Sequence, residues 1–444
     1  MMWSLPQLFV LALFSISRLS ITAKVALPIK RTTERWSFAD FIPTNSNESI
    51  WENALIGSPR ERSYASRQFP RPMIPPQKRL RAKEQMIFYQ LLFTSEISIG
   101  SPPQPFIAYV DISWADLFVP SSNCTLNPKS HCSQHRRYNS TLSETYKANM
   151  TSAELSFQGL YTKGYLSQDT VHIASLNIES QIFEEATRFQ AQYPNAPMDT
   201  GFGLARFRPQ YVDSTVDVKS PIQNIVKQEL LDTNLFSLKL PRTDAELGQL
   251  TLGGIDSRYS SASFVDLPLT NVASDDINFS RYASCGWQVE ISGVSLQGPS
   301  FPEPRAALTL DLEGYTAVFS NEFDFISVPP WIGIQIQQHL HPHLGLDDEL
   351  GDLPCSMRDE LPNLTLYFGG GAENEIVLTP WQYLFEVNDI RKGRRCVLPF
   401  SAWMHHEWDE KSPKWILLGS AFMSGLYSVF DLDNETISFA ARVD

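Results

Sequence analysis

From Phe88 onward the chain is a succession of short apolar and β-branched runs punctuated by Gly, Pro and Asn, and this texture restricts it to a mostly β protein. Ile97-Ser98-Ile99 runs into Gly100-Ser101-Pro102-Pro103, and similar runs recur at Phe106 to Val110, Leu117 to Val119 and Leu364 to Phe368. Helical periodicity is confined to Pro221–Glu229 and Trp331–His339. The two halves echo each other. Ala108-Tyr109-Val110-Asp111 is followed much later by Gly201-Phe202-Gly203-Leu204, and Leu308-Thr309-Leu310-Asp311 by Ile416-Leu417-Leu418-Gly419. Two β lobes, each offering a carboxylate at the end of an apolar strand, would meet at a cleft suited to a ligand.

With 444 residues, 43% of them hydrophobic, the chain can bury a large core. A formal charge of −13 argues against a nucleic-acid partner. The apolar stretch from Leu8 to Ile16 reads as a signal peptide, assigned to residues 1–24. No later run is long and apolar enough to span a bilayer. Residues 25–88, rich in Arg, Pro, Ser and Asn, read as a removable prosegment or flexible arm, with Lys78-Arg79 an eligible dibasic processing site. The N-terminal lobe is placed at 89–275 and the C-terminal lobe at 276–444. Asn47, Asn123, Asn139, Asn149, Asn278, Asn363 and Asn434 head Asn-x-Ser/Thr sequons, which agrees with export.

Of the five cysteines, Cys124 with Cys132 and Cys355 with Cys396 are the favoured disulfide pairs. Other pairings remain open on sequence alone, and Cys285 is left as a buried small hydrophobe. No cysteine spacing matches a structural zinc site, and neither a metal nor another cofactor is expected.

From Tyr89 to Val443 the sequence resembles the pepsin-like aspartic endopeptidases, especially fungal secreted ones. Ile97-Ser98-Ile99-Gly100-Ser101-Pro102-Pro103-Gln104 is similar to that family's first strand and turn. Asp111, followed by Asp116-Leu117-Phe118-Val119-Pro120-Ser121-Ser122, looks like its first catalytic region. Leu252-Gly253-Gly254-Ile255-Asp256 and Trp415-Ile416-Leu417-Leu418-Gly419-Ser420 resemble later family segments.

The resemblance implies a bilobal acid protease fold with a cleft between two β lobes related by a pseudo-twofold axis. It also implies peptide hydrolysis by a water held between Asp111 and Asp311. Two such carboxyls share one proton, so that one acts as base while the other polarises the scissile carbonyl. Asp199-Thr200-Gly201 spells the family's catalytic tripeptide, but its context resembles a different, non-catalytic segment.

The departures bear on activity. Ile112-Ser113-Trp114 stands where Thr-Gly-Ser is expected, and Leu312-Glu313-Gly314-Tyr315 follows Asp311. Ile112 and Leu312 lack the hydroxyls that join the family's lobes, Ser113 and Glu313 add side chains beside the carboxyls, and Trp114 and Tyr315 add bulk. In the flap, Phe157 falls at the family's tyrosine and Phe118 at its partner tryptophan. Gln158-Gly159-Leu160-Tyr161 forms the tip, where Tyr161 is the one available hydroxyl. The expectation is a secreted, monomeric homologue that accepts peptide or protein in its cleft and whose hydrolysis is weak or silent. A fully active acid endopeptidase and a non-enzymatic binding module are the alternatives.

Overall fold

In the computed structural model, residues 23–37, 87–124, 131–157, 160–191, 197–207, 213–214, 218–274, 276–298, 307–344, 352–369, 374–389, 393–401 and 414–443 are described, and the short apolar runs form strands. They assemble into sheets of fourteen, seven and three strands among the described residues. The strand Gln104–Asp111 shows why: Phe106, Ala108 and Val110 are buried while the residues between them are more exposed, the period of two that a sheet imposes. The seven-stranded sheet belongs wholly to the second half of the chain.

The two halves are not simply consecutive. The C-terminal hairpin, Leu426–Asp431 with Thr436–Ala441, returns to the large sheet, where Phe236 pairs with Phe430. Those two rings stack with centroids 4.8 Å apart, and Trp287 packs edge-on against both at 5.7 and 5.0 Å. Buried aromatic pairs of this kind each contribute about 0.5–1.5 kcal/mol beyond the area they bury. This part of the seam between the halves is therefore an apolar core.

The segment expected as a removable prosegment or flexible arm includes a strand where it is described. Val25–Ser37 is a strand between Leu247–Leu252 and Ile87–Ile99, with Val25, Leu27 and Ile29 buried. Alternating apolar residues in Val25-Ala26-Leu27-Pro28-Ile29 supply that face. Arg31 fastens it: Nε donates to Asp244 Oδ1 at 2.7 Å and Nη2 to the Glu386 carbonyl at 2.7 Å. Residues 1–22 and 38–86, which include most of the expected leader, Asn47, Lys78 and Arg79, lie outside the described residues.

Pro221–Lys227 is a helix closed by a reciprocal cap, in which Ser220 Oγ accepts from Gln223 N–H and Gln223 Oε1 from Ser220 N–H. Pro330–Leu344 is longer than its periodic core suggests, and Ile277–Ala283 is a helix the pattern did not reveal. Both favoured disulfides are present, Cys124–Cys132 and Cys355–Cys396. Cys285 is a free, fully buried thiol whose pKa burial pushes well up.

Candidate functional site

Asp111 ends the Gln104–Asp111 strand, whose parallel partner Thr200–Gly203 places Gly203 opposite it. The chain then turns, with Ile112 buried, and Ser113 N–H donates to Asp111 Oδ1 at 2.7 Å. The carboxyl is 2% exposed. Burial pushes its pKa up to about 7, with the Ser113 N–H and hydroxyl pulling the other way.

The second lobe repeats this construction nine residues after the expected carboxylate. Leu308–Phe319 runs parallel to Trp415–Leu418, with Phe319 opposite Leu418, and Ser320 follows with its N–H on the Leu418 carbonyl at 3.2 Å. Gly419 thus faces Ser320 as Gly203 faces Asp111. The two glycines are equivalent in packing as well. A Cβ on Gly203 would collide with the Trp114 carbonyl, three residues after Asp111; one on Gly419 would collide with the Phe323 carbonyl, three residues after Ser320. The two turns also meet, because Ser113 Oγ donates to Ser320 Oγ at 2.6 Å, with both residues completely buried. Where two-lobed symmetry calls for a second carboxyl, the protein has a hydroxyl.

Asp311 is consequently not the partner of Asp111. Leu310 and Leu312 turn into the core and the intervening Asp311 turns to solvent, as does Glu313. Asp311 lies opposite Gly293 in mid-sheet and accepts the Glu313 N–H at 3.0 Å. With Tyr315, Trp331 and Lys414 these two acids line a shallow surface concavity of about 590 Å³. Leu312 is core, and Tyr315 is buried with Lys414 Nζ 5.7 Å over its ring.

The lobe-joining polar network is only half lost. Asn321, next to Ser320, accepts the Ile112 N–H at 2.8 Å and donates to the Val110 carbonyl at 2.7 Å. One 1%-exposed amide thus satisfies two backbone groups of the opposite lobe. Neither Asn321 nor Ser320 carries a motif of its own. The available signal was spacing: Pro120 follows Asp111 by nine residues, and Pro329 follows Ser320 by nine.

Trp114 and Phe118 pack edge-on at 6.2 Å in a buried cluster with Cys124, Cys132, Leu155 and Phe189. Both therefore belong to the layer beneath the site. The Trp114 indole N–H is spent on the Asp116 carbonyl. In the flap hairpin, Lys147–Phe157 with Leu160–Ile173, the Tyr161 hydroxyl donates across to Glu154 Oε1 at 2.9 Å. Gly159 and the Phe157 side chain lie outside the description. Asp199 is structural: its two oxygens accept the N–H groups of Ile107 and Arg136, both at 2.9 Å.

Three buried carboxyls set a pH dependence. Burial raises Asp111 and Glu184 to about 7 and Asp324 to about 8, against ordinary values near 4. Between about pH 4 and 8 these three groups therefore hold more protons in the folded protein than in the unfolded chain, and they lower stability as pH rises through that window. Acidification restores it. Asp111→Asn should raise the melting temperature at pH 8 and leave it nearly unchanged at pH 4, as followed by calorimetry. An equal shift at both pH values would contradict the buried assignment.

Among the described residues no helix is long and apolar enough to cross a membrane. The one cluster of three ligand-type side chains among them, Cys355, Glu386 and Cys396, has both sulfurs in a disulfide and does not fit a metal.

The sequence model for eukaryotic aspartyl proteases matches residues 92–442. Human cathepsin D is 32% identical over 364 residues, covering 78% of this chain and 80% of the relative. Vacuolar protease A of Aspergillus fumigatus is 28% identical, covering 80% and 79%, and cathepsin D of Dictyostelium discoideum 29%, covering 80% and 85%. The likeness is thus to the family at large. With both sheets, the carboxyl at the end of the first central strand and a match spanning both lobes, the chain belongs to the eukaryotic aspartyl protease family.

Proposed function

We propose that this protein binds extended peptide or protein segments in its interlobe cleft and does not hydrolyse them at the rate of a two-carboxylate enzyme. The supporting observation is Ser320, a hydroxyl in the position that mirrors Asp111. Activation of water between two carboxyls needs one ionised and one protonated partner. With its pKa raised to about 7, Asp111 is protonated in acid and lacks base character there. At neutral pH it is only partly ionised, and its symmetry mate is a hydroxyl, not an acid that could polarise a carbonyl. Entry into the secretory pathway is supported by the apolar leader, the disulfides and the sequons.

Purified protein mixed with a peptide library at pH 4 and pH 7 should retain a subset of peptides, recovered intact by mass spectrometry. Failure to retain any peptide would overturn the binding proposal. Cleaved products that vanish in Asp111→Asn would overturn the silent one. A second reading has one observation in its favour: after burial, Asp111 and Glu322 together push up the Cys285 thiol, which places the Glu322 carboxylate in the same neighbourhood. If cleavage is found, its loss in Glu322→Gln as well would identify Glu322 as a replacement second carboxyl.

A further inference from the structure

Away from the cleft, the outer face of the second-lobe sheet carries a concavity of about 620 Å³. The strand Asn363–Phe368 supplies its floor. Leu364, Leu366 and Phe368 point into the core, so Asn363, Thr365 and Tyr367 point out. Gln297 lies opposite Asn363 on one neighbouring strand, and Glu375 opposite Tyr367 on the other. At the rim stands Trp381, 54% exposed, the most exposed tryptophan among the large exposed side chains described.

That ring is held, not loose. The Arg358 guanidinium lies 4.3 Å from its centroid, Arg358 is itself buried and paired with Glu386 at 2.5 Å, and the indole N–H donates to Asp359 Oδ1 at 3.3 Å. A cation covers one face of the indole, and Trp381 and Arg358 both line the concavity. An oriented aromatic surface flanked by carboxylates, an amide and hydroxyls suits a pyranose. The sugar's C–H face packs on the ring, where the negative face of the π-system meets weakly positive hydrogens, and its hydroxyls find acceptors and donors around it.

The source of such a sugar is in the wall itself. Asn363-Leu364-Thr365 is a sequon, Asn363 is exposed, and both its Asn and its Thr line this concavity. We infer that Asn363 carries an N-linked glycan whose inner sugars lie in this concavity against Trp381, so that the glycan covers the outer face of the second-lobe sheet. The inference rests on the secretory reading above. Transfer to Asn363 precedes folding of the strand, so the low exposure of Thr365 in the finished sheet is no obstacle.

The test uses the full chain secreted from a eukaryotic host that adds high-mannose glycans. Glycopeptide mass spectrometry should find Asn363 occupied. On the native protein, endoglycosidase H should release that glycan several-fold to about tenfold more slowly than from Trp381→Ala, the change that loss of one aromatic stacking contact gives. Trp381→Phe should fall between, and release at Asn434 should be the same in all three. After denaturation the Asn363 rates should converge. An unoccupied Asn363 on a protein glycosylated elsewhere would overturn this inference alone. A protein with no occupied sequon would overturn the secretory reading with it. Equal native release rates in wild type and Trp381→Ala would show that the glycan does not lie on the ring.

Discussion

Combining Ser320→Asp with Ser113→Gly is expected to give a protein that cleaves peptides in acid at least about 100-fold faster than the parent, the lower end of what a positioned acid–base group contributes. Ser320 occupies the symmetry mate of the Asp111 position, so its carboxylate variant would face Asp111 across the seam. Two carboxyls that close cannot both stay ionised, and the shared proton would supply the acid and the base that Asp111 alone does not provide. Ser113 must change as well. Its hydroxyl donates to Ser320 Oγ at 2.6 Å and occupies space the new carboxylate and its water require. Ser320→Asp alone should therefore gain much less, and adding Asp111→Asn to the double variant should remove the gain. A folded double variant with no more activity than the parent would show that the serine is not what silences the site. The assay is a quenched fluorogenic peptide mixture scanned from pH 3 to 7.

Asn321→Ala should destabilise the protein by about 2–6 kcal/mol, read from the midpoint of urea unfolding at constant slope. The amide makes two bonds across the lobe junction, to Ile112 N–H and to the Val110 carbonyl. Its removal leaves both backbone groups buried without a partner, each at roughly 1–3 kcal/mol. Asn321→Asp should be no rescue, because a carboxylate accepts from Ile112 but cannot donate to Val110 while ionised. A loss under about 0.5 kcal/mol, the ordinary scale of a surface change, would mean that the junction does not depend on this amide.

Much of the molecule was legible in the sequence, and the reasons are local. Alternation along Phe106 to Val110 marks the strand, and the resemblance carried by Asp111 through Ser122 marks the first carboxyl position. The short spacing of Cys124 and Cys132 brings that pair together. The decoy at Asp199 was recognisable from its neighbours, and its oxygens are spent on backbone N–H groups.

The second site was misplaced for a physical reason. Period-two alternation tells which face a residue occupies but not where along a strand the chain turns, and Leu308–Phe319 is twelve residues long. An apolar run ending in Asp311 looked like the strand end; the true end is set by tertiary contact, where Gly419 fits against the Phe323 and Phe325 carbonyls. A serine carries no chemical flag, so only its matched distance to Pro329 marked it. The strand Val25–Ser37 was hidden in a similar way, since composition argued only for a prosegment or arm, while pairing with Leu247–Leu252 and Ile87–Ile99 decides its structure. Buried alternation won over average polarity.

The central claim is that Asp111 has no carboxylate partner at Asp311 and faces a serine instead. Infrared titration of the carboxyl band, taken as the difference between wild type and Asp111→Asn, follows Asp111 together with any acid whose titration is coupled to it. The account predicts a transition near pH 7 that is unchanged when the measurement is repeated in an Asp311→Asn background. Two separated transitions that collapse to one on removal of Asp311 would contradict it.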